Sequence, residues 1–301
     1  MKKLIVIGGA TATGKTALAI QLARHFETQI LSADSRQFYR EMSIGTAKPG
    51  ADELAAAPHH FIDFLSVTED YSVGDFERDA LKLLETIFQK KDFAILVGGS
   101  GLYLRAVCEG LDQFPDIRPE TKLKVEEGER SGGLPWLQQE LARLDALQFA
   151  KIDQQNPARL RRALEVCLET GRPYSSFLNQ GSKNPRPFQP IYLLLNLPRP
   201  ALYARIDARV DQMVSAGLEQ EARDLLAYRH RPPLKTVGYE EFFEFFDGNT
   251  TRAAAIDKIK QHSRNYAKRQ VTWFSKHGNW EMFSPERVHE MIDFVQKKYP
   301  K

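Results

Sequence analysis

Cysteine is scarce in this chain, with only Cys108 and Cys167 among 301 residues. They are too far apart to form a metal-type pair and too few to staple a small secreted fold, so they read as structural thiols of a reducing compartment. Long apolar runs are missing as well. Nothing approaches the ~20 residues that cross a bilayer, and Met1-Lys2-Lys3 leads into a strand-like segment, not a signal-like apolar stretch. A cytoplasmic protein with no membrane partner is expected. Internal repeats and low-complexity tracts are absent, which excludes solenoids and linker-like chains. Charge bias is small, +3 from 42 basic and 39 acidic residues, so any pull toward an anionic partner must come from local clusters. The 42% hydrophobic and 27% charged content is that of a soluble globular chain, long enough for one or two domains.

Acids are missing at two informative places. Between Arg252 and Lys276, seven basic residues (Arg252, Lys258, Lys260, Arg264, Lys268, Arg269, Lys276) meet one acid, Asp257, with Tyr266, Trp273 and Phe274 interleaved. Such a skew along one helix favours a phosphate-backbone footprint. The plain alternative is a solvated face with an aromatic stripe in the core, and Tyr266 and Trp273, seven apart, are expected in that core. The second place is the end of the apolar run Phe93–Val97. Hydrolytic phosphate-loop enzymes often carry an aspartate there, but here Gly98-Gly99-Ser100-Gly101 follows. The missing acid argues against ATP hydrolysis, the glycines permit close backbone approach, and the Ser100 hydroxyl suits a phosphate or a base.

What is present is most informative at the start. Gly9-Ala10-Thr11-Ala12-Thr13-Gly14-Lys15-Thr16 fits G-x-x-x-x-G-K-[ST], after the apolar run Leu4–Ile7 and before the helical pattern Ala17–Ala23. In that context the loop N–H groups, the helix N-terminus and the Lys15 ammonium together hold a di- or triphosphate. The Thr16 hydroxyl suits a magnesium ion.

Residues 3–110 alternate strand and helix signals. Strands are expected at Gln29–Ala33 and Phe93–Val97, and a helix over Asp75–Gln89 through the spacing of Phe76, Ala80, Leu83, Leu84 and Ile87. From about Asp112 to Pro190 strand signals vanish among short helices punctuated by Gly132-Gly133, Pro157 and Gly171. A strand resumes at Ile191–Leu197, helices follow from Pro200, and Trp280–Phe283 is a candidate edge strand. The expected architecture is α/β: a parallel sheet with flanking helices, and an all-helical insertion. Its divisions are 1–111 for the first part of the core, 112–190 for the insertion and 191–301 for the second part of the core.

Asp34 lies just past the second strand, at the sheet edge that carries the phosphate loop. Its carboxylate suits proton transfer or a magnesium shell; capping the next helix is the equal alternative. Ile44-Gly45-Thr46-Ala47-Lys48-Pro49 suggests a second polar wall of a site. Arg205 and Arg209, one helical turn apart, could converge on a pyrophosphate or pair with Asp207 and Asp211. Asn156-Pro157-Ala158-Arg159-Leu160-Arg161-Arg162 opens a basic helix in the insertion.

Taken together, the chain resembles the bacterial tRNA dimethylallyltransferase (tRNA isopentenyltransferase) family over essentially its whole length. The resemblance rests on G-A-T-A-T-G-K-T at 9–16, D-S-R-Q-F-Y at 34–39, I-G-T-A-K-P at 44–49 and G-G-S-G-L-Y at 98–103. It continues through N-P-A-R-L-R-R-A-L-E-V at 156–166, the Arg205–Met213 run, V-G-Y-E-E at 237–241 and R-N-Y-A-K-R-Q-V-T-W-F at 264–274. Ala10 replaces the family's usual proline, Ser100 its common threonine, and the Cys/His extension of eukaryotic members is missing.

The resemblance implies transfer of a dimethylallyl group from its diphosphate to N6 of the adenine 3′ of a tRNA anticodon. It assigns the loop from Gly9 to Thr16 to the diphosphate, with Thr16 on Mg2+, and catalytic roles to Lys15, Asp34, Ser100 and Arg209. Contacts to the tRNA anticodon stem-loop are implied for Asp34, Ser35, Arg36, Gln37, Ser100, Lys122, Ala158, Arg159, Leu160, Arg161 and Arg162. A monomer is expected. The rival readings are a P-loop kinase of a nucleotide or metabolite, an isopentenyltransferase of free adenine nucleotide, and a non-catalytic RNA-binding module.

Overall fold

The computed structural model describes residues 1–178 and 185–298. In chain order the elements are β1 (Lys2–Gly9), α1 (Lys15–His25), β2 (Ile30–Ser32), α2 (Ala51–Ala56), β3 (His59–His60), α3 (Val73–Lys90), β4 (Phe93–Val97) and α4 (Gly101–Glu109). Then come α5 (Pro119–Leu144), α6 (Ala146–Phe149), α7 (Pro157–Thr170), β5 (Phe188–Leu195), α8 (Arg199–Ser215) and α9 (Leu218–Asp224). The chain closes with α10 (Glu240–Phe246), α11 (Arg252–Lys276), β6 (Glu281–Phe283) and α12 (Val288–Lys298). The chain divides into two compact units, Met1–Glu109 with Arg186–Lys301, and Gly110–Pro185.

The first unit is an α/β layer structure, as the strand–helix alternation leads one to expect. Six parallel strands lie in the order β3-β2-β4-β1-β5-β6. Side chains alternate across a strand, so Leu4 and Val6 enter one apolar core while Ile5 and Ile7 enter the other. Helices cover both faces, and all four of these residues are fully buried. At about 1.5–3 kcal/mol for each buried side chain of this size, β1 is a principal anchor of the fold. Its carboxyl end, and those of β2 and β4, carry the loops of interest.

Several element boundaries differ from the sequence expectation, those of α3 and β5 for a local reason. Helix α3 begins at Val73 because Ser72 caps it: the Asp75 N–H donates to the Ser72 hydroxyl at 3.1 Å, and the Ser72 N–H donates to the Asp75 carboxylate at 2.9 Å. Strand β5 begins at Phe188 and passes through Pro190, and it ends at Leu195, short of Leu197. Proline is tolerated there because β6 pairs only with Leu193–Leu195, leaving no neighbour on that side to require a ladder hydrogen bond.

The second unit is helical. Gly133, at φ 62° and ψ −158°, breaks α5 into two arms. Val125, Leu137 and Leu141 from α5 pack on Leu160, Ala163, Leu164 and Cys167 from α7. Asn156 caps α7 by accepting the Arg159 N–H at 3.2 Å. Cys108 and Cys167 are buried free thiols. No helix among the described residues is long and apolar enough to cross a membrane.

Candidate active site

The phosphate loop leaves the sheet at the end of β1 and enters α1. Ala12 and Gly14 adopt left-handed backbone conformations, φ 62° and 90°. Such residues turn successive N–H groups inward into an anion-binding nest at the helix N-terminus. The Ala10 carbonyl accepts both the Thr13 hydroxyl at 2.8 Å and the Lys15 ammonium at 2.7 Å. Burial pulls the Lys15 pKa down to about 8; attraction to Asp34 opposes that fall and Arg209 adds to it. The Ala10 methyl is buried in a small apolar cluster with Leu202, Ile206 and Ala267.

Asp34 does not cap a helix. One of its carboxylate oxygens accepts the Arg36 N–H at 3.1 Å within a turn, and no helix follows until α2. It lines a cavity of about 330 Å³ together with Thr11, Ser35, Arg36 and Arg209. Lys235, Tyr266 and Arg269 add further polar lining, and Ile206, Val210, Met213, Leu218, Val237 and Ile259 add an apolar one. Gly45 and Thr46 supply the polar wall expected from that loop. Lys48 does not; its ammonium donates to the Tyr39 carbonyl at 2.5 Å and pairs with Asp63.

The two arginines of α8 separate. The Arg209 guanidinium donates to the Thr11 hydroxyl and to the Ala47 carbonyl, both at 3.4 Å. Burial lowers its pKa, with Asp34 and Glu53 opposing. Arg205 instead faces Glu286 at 3.6 Å, 47% exposed. The expected convergence on one pyrophosphate is therefore corrected, and so is pairing within the helix: Asp207 and Asp211 are taken by Arg264 and Lys260.

Other expected residues are also placed differently. Gln37 is buried, and its amide donates to the Thr46 and Ala47 carbonyls at 3.3 Å and accepts the Ser32 hydroxyl at 3.2 Å. It is a strut for the 44–49 loop, with both amide N–H groups used inside the chain. The Ser100 side chain lies beside the Tyr266 phenol and moderates the upward push that burial gives its pKa. Tyr266, expected in the core, is 39% exposed and lines the cavity, whereas Trp273 packs over Gly101.

In the helical unit, Leu160 is fully buried on the apolar face of α7, so its side chain is closed to an RNA contact. Arg161 is spent on a bidentate pair with Glu129 at 2.7 and 2.8 Å. Arg162 lies 3.8 Å from Glu165 and 5.6 Å over the Phe114 ring. Lys122, Ala158 and Arg159 are exposed.

The sequence reading overlooked three supports of the site. Gln270, buried on α11, accepts the Thr11 N–H at 2.8 Å and donates to the Gly99 carbonyl at 3.0 Å. Glu221 on α9 accepts the N–H groups of Ser43, Ile44 and Gly45 at 2.7–2.9 Å and the Tyr239 hydroxyl at 2.7 Å. Lys235 reaches the cavity from just ahead of the V-G-Y-E-E motif, whose Val237, Gly238 and Glu240 line it as well. The acidic residue in a helix and the glutamine inside a basic run give no local signal that distinguishes them from solvated side chains.

A metal held here would draw on the Thr16 hydroxyl at the start of α1. Among the described residues no three His, Cys, Asp or Glu side chains converge. A single hydroxyl in a phosphate loop still matches the partial oxygen shell that magnesium completes with phosphate and water.

A family model described as IPP transferase matches residues 37–277. The chain is 49% identical to the tRNA dimethylallyltransferase of Christiangramia forsetii over 296 residues, 98% of each chain. It is 48% identical to that of Cytophaga hutchinsonii over 297 residues, 99% of this chain and 97% of the relative. Among solved structures, a full-length tRNA isopentenylpyrophosphate transferase from Bacillus halodurans superposes with a TM-score of 0.74 at 35% identity, covering 99% of this chain and 97% of its own. A eukaryotic dimethylallyltransferase described as acting on tRNA gives 0.83 at 25% identity, covering 99% and 79%.

Proposed function

The chain belongs to the IPP transferase family, and from that premise we propose how its residues transfer a dimethylallyl group from dimethylallyl diphosphate to N6 of the adenine 3′ of a tRNA anticodon. The observation that carries this reading is the cavity in which Asp34, Arg209 and the phosphate loop meet an apolar lining. A kinase needs no such lining beside its phosphates, whereas a five-carbon allyl group does.

In the transfer, the bond between the allyl carbon and the diphosphate oxygen breaks, and its electron pair leaves with the diphosphate. The N6 lone pair forms the new carbon–nitrogen bond, and the extra proton on nitrogen passes to the Asp34 carboxylate. Negative charge on the leaving group is met by Lys15, the loop N–H groups and the Arg209 guanidinium, donors fixed before the reaction begins. Magnesium held partly by the Thr16 hydroxyl would neutralise diphosphate charge. A positioned base contributes about 10²–10⁴-fold. The base leaves its stack at a cost of a few kcal/mol, with the Tyr266 ring, Ser35 and Arg36 available to receive it. Arg159 and Lys122 of the helical unit would hold the stem-loop backbone.

The test is product identity. Incubation of the chain with dimethylallyl diphosphate, magnesium and an anticodon stem-loop should give N6-isopentenyladenosine and diphosphate in equal amounts by mass spectrometry. Phosphorylated product from ATP, with no prenylated nucleoside, would replace this reading with a kinase.

A further inference from the structure

We propose that Gln270 is a positioning residue that sets the phosphate loop against the β4–α4 turn. The inference rests on the diphosphate reading of the loop. The carboxamide is 7% exposed and both of its ends are used, the oxygen on the Thr11 N–H at 2.8 Å and the nitrogen on the Gly99 carbonyl at 3.0 Å. Only one orientation satisfies both partners, since a flipped amide would set donor against donor and acceptor against acceptor. A Cβ on Gly99 would lie 2.3 Å from the amide nitrogen, so the turn accepts this bridge only as glycine.

Through these two bonds one side chain fixes three parts of the site. Thr11 carries the hydroxyl that meets Arg209. Gly99 precedes Ser100, whose side chain lies beside the Tyr266 phenol. Helix α11 itself brings Ser263, Tyr266 and Arg269 to the cavity. Gln270 does not line that cavity, so its influence runs through the separation of the anion-binding loop from the residues around Asp34. Misplacement of reacting groups by about 1 Å costs on the order of 10²-fold in rate.

The experiment uses the whole chain and two variants, Gln270→Met and Gly99→Ala. The first removes the donor and the acceptor at similar volume; the second keeps both groups and displaces the amide from its partners by crowding. Binding of inorganic pyrophosphate with magnesium is measured by calorimetry, and single-turnover prenyl transfer to a stem-loop is measured alongside. Both variants should bind pyrophosphate about tenfold more weakly at unchanged stoichiometry and transfer about 10²-fold more slowly. Partial unfolding would instead lower the stoichiometry and leave the affinity of the folded fraction intact. Affinities within twofold of the parent in both variants, or a loss of stoichiometry alone, would overturn the role of Gln270. Because pyrophosphate binding needs no turnover, a parent that binds pyrophosphate without transferring a prenyl group would refute the proposed reaction and leave Gln270 to be judged on affinity.

Discussion

Arg205 and Arg209 sit one turn apart on α8, yet their surroundings predict opposite results for the same substitution. Arg209 touches the phosphate loop, so Arg209→Ala should lower single-turnover transfer by about 10²–10³-fold, the usual loss for one donor to a developing anion. Arg205 faces only a surface glutamate, and Arg205→Ala should stay within about twofold; equal losses in the two variants would contradict this assignment. Lys15 makes a pH prediction. Its free-state pKa near 8 means that the ammonium is intact below about pH 8 and is lost as pH rises through it, while a bound diphosphate favours the charged form. Pyrophosphate affinity should therefore fall above pH 8, by up to about tenfold per unit, relative to Lys15→Arg, which remains charged. A flat ratio between the two from pH 7 to 9 would refute it. That Lys15, Asp34 and Arg209 gather at one place was legible from the phosphate-loop motif and the family resemblance. Gln37 and Leu160 were not assigned well, because a motif taken as a block hides which way each side chain points. The spacing of Leu160, Ala163, Leu164 and Cys167 already marked the buried face of α7.

Among elements, α9 shows how a helix outside the motifs shapes the site. Its Glu221 carboxylate gathers three backbone N–H groups of residues 43–45 and the Tyr239 hydroxyl, holding the loop that presents Gly45 and Thr46 to the cavity. Glu221→Gln retains one acceptor oxygen and sets an NH2 against the remaining donors. A loss of about 2–3 kcal/mol is expected, seen as a melting temperature several degrees lower, together with a raised KM for the donor. An unchanged KM would confine Glu221 to stability. The long elements were readable: β1 and β4 as apolar runs, α3 through its spacing. The two-residue β3 is defined by pairing with β2, a contact that local sequence does not encode, whereas the aromatic segment Trp280–Phe283 marked β6 at the sheet edge. Pro190 obscured the start of β5 because its tolerance depends on a neighbouring strand.

Across the whole molecule, the residues proposed for the chemistry and part of those proposed for the RNA grip belong to different compact units, so the two roles should be separable by mutation. Arg159→Ala in the helical unit should weaken stem-loop binding several-fold and reduce the slope of log affinity against log salt by about 1, with pyrophosphate affinity unchanged. A coupled loss of pyrophosphate binding would contradict that separation. The alternation of strands and helices, interrupted by a stretch without strand signals, made the α/β class and the helical segment readable. The side-chain bridges that join loops to helices were not, since Gln270 and Thr11 are separated by 259 residues.

The most direct measurement is single-turnover transfer of labelled dimethylallyl diphosphate, with magnesium, to three acceptors in parallel. These are an anticodon stem-loop with adenine 3′ of the anticodon, the same stem-loop with guanine there, and free AMP. Label on the adenine stem-loop alone, abolished by Asp34→Asn, is the predicted result. Label on AMP, or equal label on the guanine stem-loop, would contradict it.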